Sequence, residues 1–503
     1  MTDPNPARPA AGLDRRAFVK SLSAAGLGAA LAGSAPRLLA QAATAPRRKR
    51  YVIVGLGSRH VMYQNAIEKD YKEHAELVGL CDLNPGRIEL ARKLSGTNGA
   101  PVPPGYLHTD FDKMIRETKP DFVIVTTVDA THDDYLVRAM ELGVDTITEK
   151  PMTTTAEKCQ RILDARARTG KSVRVLFNYR YSPPRTQVKD LMMAGEIGDI
   201  LSVDFHWLLN TTHGADYFRR WHGEKKHSGG LMVHKATHHF DLVNWWLGAV
   251  PVTVTATGKR EFYTPAMARR LGLQSHHERC HTCPEQDRCG FFLSLANNPG
   301  HKAMYLDNEK HDGYFRDQCV WSPRIDIEDT MNVIVGYDTG ATLSYSLNAF
   351  NAWEGYNIAF NGTKGRIEHT IVEQVYVSGT DTVQGGIEER GTRTRLIPLR
   401  GAPRDIEPWT GTGGHGGGDK VMLDDLFLPN PPADKYLRAA DERAGANSIL
   451  IGAAANECFV HGRTVEVQKM VKGLGRPDYA PMPTRSDPLP MPARRSGRRS
   501  QTG

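Results

Sequence analysis

The chain has 503 residues and lacks an apolar segment long enough to cross a membrane as a helix. Its Ala- and Gly-rich run from Ser21 to Ala35 has 15 residues, whereas a helix that spans a bilayer needs about 20. The sequence therefore predicts no stable membrane span. The length that follows this run is sufficient for two domains.

The chain also has little excess of positive charge outside its first 50 residues. Residues 1–50 carry nine Lys and Arg against two Asp, an excess of seven that equals the net charge of the whole chain. Residues 51–503 therefore have no net charge, and nothing in them predicts nucleic-acid binding. Residues 471–503 are rich in Pro, Arg and Ser without apolar periodicity, and we expect them to be disordered.

The basic N-terminus has the pattern of an export signal. Arg15-Arg16-Ala17-Phe18 precedes the run from Ser21 to Ala35, and Ala40-Gln41-Ala42 is a small-x-small cleavage pattern. These features are typical of a twin-arginine signal peptide, here residues 1–42, and a linker would follow over residues 43–50. The signal predicts export by the twin-arginine machinery to the periplasm. The alternative is a disordered basic tail.

The first predicted strand, Tyr51–Val54, runs into the turn Gly55-Leu-Gly57. In a dinucleotide-binding turn the first glycine permits the tight bend, and the second lets the backbone approach the pyrophosphate. A second predicted strand ends at Asp82, 25 residues after Gly57, close to the spacing of the acid that binds the adenosine ribose. That carboxylate would repel a 2′-phosphate, so the motif predicts NAD rather than NADP.

Residues beside this turn and at the following strand ends are predicted to complete the dinucleotide site. His60 stands where the usual third glycine would be, and Ser58 and Arg59 can hold a phosphate. The predicted cofactor site consists of Gly55, Gly57, Ser58, Arg59, His60, Asp82, Thr127, His132, Glu149 and Lys150.

Strands and helices alternate along residues 51–177, as in a doubly wound parallel sheet. After Pro183-Pro184 the pattern changes to longer segments that alternate apolar with polar residues, which is typical of an antiparallel sheet with one buried face. The sequence therefore predicts an α/β protein. Its dinucleotide-binding domain would cover residues 51–177, and a second domain would cover residues 178–470.

Four of the seven cysteines fall in a predicted insertion, residues 270–325, as Cys280, Cys283, Cys289 and Cys319. Four thiolates suit a tetrahedral structural zinc or an iron–sulfur cluster. The periplasm would instead permit two disulfides, and free thiols are the fourth interpretation. Folding before export favours zinc. We expect the insertion to hold a loop over the substrate cleft.

The tripeptide Glu149-Lys150-Pro151 directly follows a predicted strand, in a chain that opens with the Gly55 turn and Asp82. Together with Gly229–Asp241 and Gly362–Glu368, this order of motifs is similar to the glucose-fructose oxidoreductase, inositol dehydrogenase and MocA family. The resemblance covers residues 51–469. It implies an NAD-binding Rossmann domain and a C-terminal α/β domain with a large, mostly antiparallel sheet, often used in homo-oligomer contacts.

The resemblance implies that Lys150 is catalytic and lies near the nicotinamide ribose and the substrate hydroxyl. The residues support this independently, because Pro151 biases Lys150 toward an extended backbone at a strand end, where doubly wound sheets bind ligands. The resemblance also implies an acid–base role for His238. The chain departs from the family pattern at His234, which replaces an Asp, and at Ala236, which replaces a Gly.

On a continuous helix, His234, His238 and Asp241 would share one face, since they stand at positions i, i+4 and i+7. Two imidazoles at this spacing can bind a metal, or one can relay a proton while the carboxylate orients the other. A purely structural role is the alternative. We predict that His234 assists His238 in catalysis.

Further candidates follow the predicted strand that ends at Phe177. Tyr179 is a candidate catalytic base or donor, Arg180 can clamp a carboxylate, and Tyr181 is a candidate substrate residue. His415, in a Gly-rich loop, is also predicted to contact substrate. Packing is the alternative role for the aromatic residues. The weaker candidates are His206, His213 and Tyr217.

The predicted function is an exported NAD-dependent oxidoreductase that acts on a hydroxyl of a carbohydrate or polyol. Because the twin-arginine machinery moves folded proteins, the NAD would be loaded before export, held tightly and recycled within each catalytic cycle. The first alternative is a glycoside-cleaving enzyme that oxidises C3 of the sugar transiently. The second alternative is a non-catalytic sugar-binding protein.

Overall fold

The computed structural model describes residues 47–274, 276–373, 386–388, 391–483, 489 and 491. The predicted signal peptide, residues 1–42, lies outside the described residues, and so does the first half of the predicted linker. Within the described ranges, no helix is both long enough and apolar enough to cross a membrane.

The first part of the described chain forms six parallel strands, β1 (Lys49–Val54), β2 (Ala75–Asp82), β3 (Gly105–Leu107), β4 (Phe122–Val125), β5 (Asp145–Glu149) and β6 (Val173–Leu176). The helices between them are α1 (His60–Asn65), α2 (Pro85–Thr97), α3 (Phe111–Thr118), α4 (His132–Glu141) and α5 (Ala156–Thr169). The strands lie in the order β3-β2-β1-β4-β5-β6, which is the order of a doubly wound dinucleotide-binding sheet. Such a sheet binds ligands beside the carboxyl ends of β1 and β4, where the order reverses.

The local sequence explains why β1 is a central strand and why β2 ends at Asp82. All four residues of Tyr51–Val54 are buried, as expected for a central strand covered on both faces. α2 begins where the Asn84 side chain accepts hydrogen bonds from the backbone N–H groups of Gly86 and Arg87, at 3.0 and 3.3 Å. The chain therefore turns sharply after β2, and Asp82 is left at the strand end.

The remaining strands are β7 (Ile200–Asn210), β8 (Pro251–Lys259), β9 (Thr330–Tyr337), β10 (Thr342–Asn351), β11 (Glu354–Gly362), β12 (Gly365–Glu373), β13 (Arg393–Pro398), β14 (Arg404–Ile406), β15 (Ala440–Asp441) and β16 (Val465–Glu466). All except β15 form a second sheet in the order β14-β13-β12-β11-β7-β10-β9-β8-β16. Its neighbours are antiparallel apart from β7 and β10. The predicted α/β class, with one parallel sheet and one mostly antiparallel sheet, is confirmed.

The later helices are α6 (Pro183–Met193), α7 (Thr211–Arg219), α8 (Lys225–Ser228), α9 (Leu231–His234), α10 (Thr237–Leu247), α11 (Pro265–Arg270), α12 (Pro299–His301), α13 (Gly418–Phe427) and α14 (Glu442–His461). α14 packs against α10, α9 and β8, and it also reaches α5 and β6. The side chains that alternate inward along β7 are Val203, Phe205, Trp207 and Leu209. The core therefore continues from the helices onto one face of the second sheet.

The predicted domain boundary at residue 177 does not separate all segments of the two domains. β15 returns to the first sheet and pairs antiparallel with β6. Phe427 of α13 packs its ring edge-on against Tyr51 of β1, with ring centroids 5.2 Å apart. Two late segments thus complete the core of the Rossmann domain.

The prediction of a disordered tail from residue 471 is wrong for residues 471–483. Val471 and Ala480 are buried, and Asp478 forms an ion pair with Arg443 at 2.6 Å. This segment forms no helix or strand, so its packing leaves no periodic pattern in the sequence. Most of the remaining tail lies outside the described residues.

Candidate active site

A cavity of about 720 Å³ lies at the carboxyl ends of β1, β2, β4 and β5 and extends to residues of α7, α9 and α10. This size is typical of sites for small molecules and cofactors. One half of its wall is the glycine turn and the acid of the Rossmann sheet, and the other half carries histidines, lysines and aromatic side chains. The two predicted parts of the active site therefore share one cavity.

The glycine turn fits a dinucleotide. Gly55 has a φ of +89°, and a Cβ there would lie 2.6 Å from the backbone nitrogen of Thr127. A Cβ at Gly57, in contrast, would meet no atom of the described residues within 4 Å. Gly55 therefore serves the close packing of strand ends, while Gly57 leaves room for a pyrophosphate beside the backbone.

Asp82 is held at the cavity edge by the turn that it faces. Its carboxylate accepts hydrogen bonds from the backbone N–H groups of Leu56 at 2.5 Å and Asn84 at 2.7 Å. Arg87 approaches the same carboxylate at 3.4 Å and also pairs with Asp312. This fixed acid at the end of β2 is the group that would bind the ribose hydroxyls of NAD.

Arg59 and Glu149 form an ion pair inside the cavity wall. The guanidinium of Arg59 donates to Glu149, and Tyr63 donates to the same carboxylate. Burial opposes ionisation of Glu149, but Arg59 holds its pKa below the usual value. Glu149 is therefore a charged anchor for Arg59, and both side chains line the cavity beside Lys150.

Thr127 and His132, also predicted to contact the cofactor, line the cavity. The ring nitrogens of His132 lie 2.9 Å from the carbonyl oxygen of Pro151 and 3.2 Å from that of Thr127. His132 thus joins the ends of two neighbouring strands. His60 does not line the cavity, because its buried ring turns back to the carbonyl oxygen of Gly57 at 2.5 Å.

Lys150 lies where the cofactor half meets the substrate half. Its ammonium donates to the carbonyl oxygen of His234 at 3.2 Å. Burial lowers its pKa to about 8, against the charges of Asp129 and Glu149, which favour the ammonium. A lysine with this pKa can accept and return a proton near neutral pH.

His238 on α10 is only 5% exposed and lines the same cavity. Its ring stacks on Tyr179 with centroids 4.3 Å apart, and Tyr179 donates to Glu373 at 3.2 Å. Burial lowers the pKa of His238 well below its usual value, and the charges of Lys150 and Lys235 lower it further. His238 is therefore a neutral imidazole at neutral pH.

His415 adds a third ring to this group and lines the cavity as well. Its ring centroid lies 5.8 Å from that of Tyr179, and its Nδ1 lies 2.9 Å from the carboxylate of Asp419. The Gly-rich loop thus brings His415 to the cavity, as the sequence predicts for a substrate residue.

The predicted helical face of His234, His238 and Asp241 does not form. α9 ends at His234, α10 begins at Thr237, and Asp241 is bonded to Arg180. His234 instead meets Asp129, with 2.5 Å between Nδ1 and the carboxylate. Among the described residues, no group of three or more His, Cys, Asp or Glu side chains is arranged to hold a metal ion.

Asp129 is the main site residue that the sequence analysis missed. It lies just beyond β4, is 3% exposed and faces Lys150. Burial raises its pKa well above the usual value, against the charges of Lys150 and Arg220. Asp129 could have been identified in the sequence from its position after a parallel strand, because the carboxyl ends of such strands lie at the same edge of the sheet, where ligands bind.

The substrate half contains further aromatic and basic groups. His213 and Tyr217 of α7, which were weaker candidates, line the cavity, and the Nδ1 of His213 lies 2.6 Å from Glu354. The sequence analysis did not single out Trp221 and His222, whose rings stack at 3.6 Å. Their role was not predictable from spacing, since they lie in a short turn without a motif.

Three of the candidate site residues from the sequence lie outside the cavity. Arg180, predicted to clamp a substrate carboxylate, is 1% exposed and forms a bidentate ion pair with Asp241 at 2.7 and 2.6 Å. Tyr181 donates to Asp425 at 2.7 Å behind the cavity wall. His206 lies on an exposed position of β7. None of the three lines the cavity, so the substrate roles predicted for Arg180 and Tyr181 are not supported.

The insertion contacts both halves of the cavity. On the substrate side, Arg316 forms an ion pair with the cavity-lining Asp216 of α7 at 2.6 Å. On the cofactor side, Tyr305 accepts a hydrogen bond from the backbone N–H of Ser58 at 3.4 Å, and Asn84 donates to the carbonyl oxygen of Asn308 at 2.9 Å. Asp312 pairs with Arg87. The part of the insertion from Tyr305 to Tyr314 is therefore fastened to the Rossmann domain beside the ribose-binding acid.

The predicted zinc site is not supported. Cys280, Cys283, Cys289 and Cys319 line one cavity of about 20 Å³, and all seven cysteines are free thiols. Burial raises the pKa of Cys280 to about 11 and also raises that of Cys319. The four thiols line one cavity, but among the described residues they form no group of three or more side chains arranged to hold a metal ion.

Comparisons with known proteins cover both halves of the molecule. The NAD-binding Rossmann fold of the Gfo/Idh/MocA oxidoreductase family matches residues 49–177, and the C-terminal alpha/beta domain of that family matches residues 189–467. The chain belongs to the Gfo/Idh/MocA oxidoreductase family. The resemblance inferred from the motifs is thereby confirmed, and this family member is an NAD(P)-dependent oxidoreductase that acts on CH–OH groups.

Comparisons with individual proteins are consistent with membership of this family. The chain is 38% identical to YteT of Bacillus subtilis over 417 residues, which cover 80% of this chain and 94% of YteT. It is 30% identical to inositol 2-dehydrogenase 2 of Saccharopolyspora erythraea over 201 residues, 40% of this chain and 51% of that protein. The aldose–aldose oxidoreductase of Caulobacter crescentus, solved with glycerol, has the same fold with a TM-score of 0.56 at 17% identity, covering 84% and 100% of the two chains.

Alanine substitutions at the two glycines of the turn should affect different properties of this Gfo/Idh/MocA enzyme. Gly57→Ala should weaken NAD binding, and Gly55→Ala should lower stability. In Gly57→Ala the added methyl meets no described protein atom, so we expect a stability change within about 0.5 kcal/mol and at least tenfold weaker NAD binding. In Gly55→Ala the methyl overlaps the backbone at Thr127, and we expect a clearly lower melting temperature. Differential scanning calorimetry and equilibrium binding of NAD measure both effects. Wild-type NAD affinity in Gly57→Ala would contradict the assigned turn.

Proposed function

We propose that the chain is an exported, NAD-dependent oxidoreductase that acts on a secondary hydroxyl of a carbohydrate or polyol. The observation that carries this proposal is the position of Lys150 and His238 in one cavity with the Gly55–Gly57 turn. The fixed carboxylate of Asp82 favours NAD over NADP, because a 2′-phosphate beside it would be repelled. Bound NAD supplies the hydride acceptor for oxidation of the hydroxyl carbon.

The side chains of this cavity would handle the hydroxyl proton. Lys150, with its pKa near 8, is the acceptor best matched to neutral pH. His238 stays neutral and orients the hydroxyl from its ring nitrogen, while stacking on Tyr179 fixes its plane. Asp129, which His234 contacts, acts on Lys150 through its charge and favours the protonated ammonium.

Retention of the cofactor is the second part of the proposal. The segment from Tyr305 to Tyr314 is bonded to Ser58, Asn84 and Arg87 around the cofactor half. Such a cover would slow release of a dinucleotide. That property suits a protein whose Arg15-Arg16 pattern predicts twin-arginine export to the periplasm, because the NAD would be loaded beforehand and recycled in place.

Redox-neutral cleavage of a glycoside is the second candidate function. It would oxidise C3 of a sugar, eliminate the aglycone and reduce the ring again, and so needs an additional acid–base pair. The Asp129–His234 pair beside Lys150 supplies such groups. Incubation with a nitrophenyl glycoside separates the two functions. Release of nitrophenol without accumulation of NADH supports the second function, and NADH formation alone supports the first.

Replacement of Lys150 tests the proposed proton acceptor. Lys150→Met should lower the rate of NAD reduction by about 100-fold or more and should leave the amount of bound NAD unchanged. Stopped-flow absorbance of NADH and mass spectrometry of the released nucleotide measure the two quantities. Lys113→Met, which removes an exposed lysine from α3, is the control. Normal turnover of the Lys150 variant would end the assignment.

The pH dependence of oxidation tests the coupling of Lys150 to Asp129. The amine accepts a proton only when it is neutral, so the rate should rise with pH through about 8 and then level. Asp129→Asn removes a charge that favours the ammonium, so the same rise should occur at lower pH. Asp134→Asn, which changes a carboxyl with a 59% exposed side chain, should not move it. An unchanged profile in Asp129→Asn would contradict the coupling.

A further inference from the structure

Lys235 is a buried lysine of the cavity that the mechanism above does not use. It lies between α9 and α10, is 5% exposed, and lines the same cavity as Lys150 and His238. Its ammonium lies 4.4 Å from the centre of the Trp207 ring and 6.0 Å from that of Tyr179. No acceptor of the described residues forms a hydrogen bond with it. The ring faces attract the cation, but they leave its N–H groups for a bound molecule.

The acids around Lys235 make their contacts with other side chains, and Oε2 of Glu354 has no hydrogen-bond partner among the described residues. Glu354 and Glu373 are the carboxylates whose charges act on this lysine, and Arg185 opposes them. Glu354 lies 2.6 Å from the Nδ1 of His213. Glu373 accepts hydrogen bonds from Arg185 and from Tyr179. Lys235 thus stands next to acids without being bonded to either of them.

The nearby charge of Lys150 makes it less favourable to bury the ammonium of Lys235. The charge of Lys235 disfavours the ammonium of Lys150, and both charges act on His238. A buried ammonium without an acceptor is unfavourable because it has lost its water. A negatively charged group placed near Lys235 would offset this cost and would form charge-assisted hydrogen bonds.

We propose that Lys235 binds a carboxylate of the substrate, so that the enzyme acts on a sugar acid rather than on a neutral sugar. This inference rests on the proposed function, because it names the substrate class of the same cavity. The carboxylate would engage Lys235, and the hydroxyl to be oxidised would lie between Lys150 and His238. A single unbonded ammonium suits one negative charge, whereas a phosphate group is commonly held by several backbone N–H groups or by an arginine fork.

Matched pairs of ligands test the proposal. The protein loaded with NAD is titrated calorimetrically with D-galacturonate and D-glucuronate, and with D-galactose and D-glucose, in which a neutral hydroxymethyl group replaces the carboxylate. Glucose 6-phosphate is the phosphate-bearing probe. We expect at least one of the acids to bind tenfold or more tightly than its neutral counterpart and more tightly than the phosphate. Equal affinity for acid and neutral sugar, or a preference for the phosphate, would overturn the proposal.

Substitutions at Lys235 then test whether this residue causes the preference for the acid. Lys235→Met should reduce the preference for the acid to about twofold or less, Lys235→Arg should retain it, and Lys113→Met should not change it. Circular dichroism and the amount of bound NAD show whether each variant is folded. A preference that persists in folded Lys235→Met would remove Lys235 from recognition. If the acids bind preferentially but none of these sugars reduces NAD, the binding inference stands and the proposed oxidation of a carbohydrate hydroxyl fails.

Discussion

The buried ion pair between Arg180 and Asp241 determines how the two halves of the active site face each other. Arg180 follows the last parallel strand of the Rossmann sheet, and Asp241 lies one turn from His238 on α10. Two hydrogen bonds join them, and both residues are almost completely buried. Since neither charge has access to water, each depends on the other. The position of His238 relative to Lys150 therefore depends on a contact that touches neither cofactor nor substrate.

The cofactor half was predictable from the sequence because its signals are local. Gly55, Gly57 and Asp82 belong to one strand–turn–helix–strand unit, and their spacing reflects the geometry of a single nucleotide. Lys150 was predictable for a related reason, since it directly follows a parallel strand and precedes a proline. The alternation along strands such as β7 likewise indicated a sheet with one buried face, which the structure confirms.

The substrate half was less predictable because residues distant in the chain build it. His234 was expected to share a helical face with Asp241, but the helix is interrupted at Lys235 and Ala236. Asp129 then supplies the carboxylate that His234 contacts. Arg180 was expected to bind a ligand, yet Asp241 occupies its guanidinium. Spacing identifies which residue types are present, whereas the tertiary fold decides which of them become partners.

The return of β15 to the first sheet has a consequence for biosynthesis. This strand comes from the last part of the chain, but it completes the edge of the sheet beside β6. A ribosome delivers the N-terminal segments first, and domains commonly fold as they emerge. Here the Rossmann sheet remains one strand short until the strands of the second sheet that precede β15 have also been synthesised. Completion of the nucleotide-binding sheet therefore comes long after its glycine turn has been made.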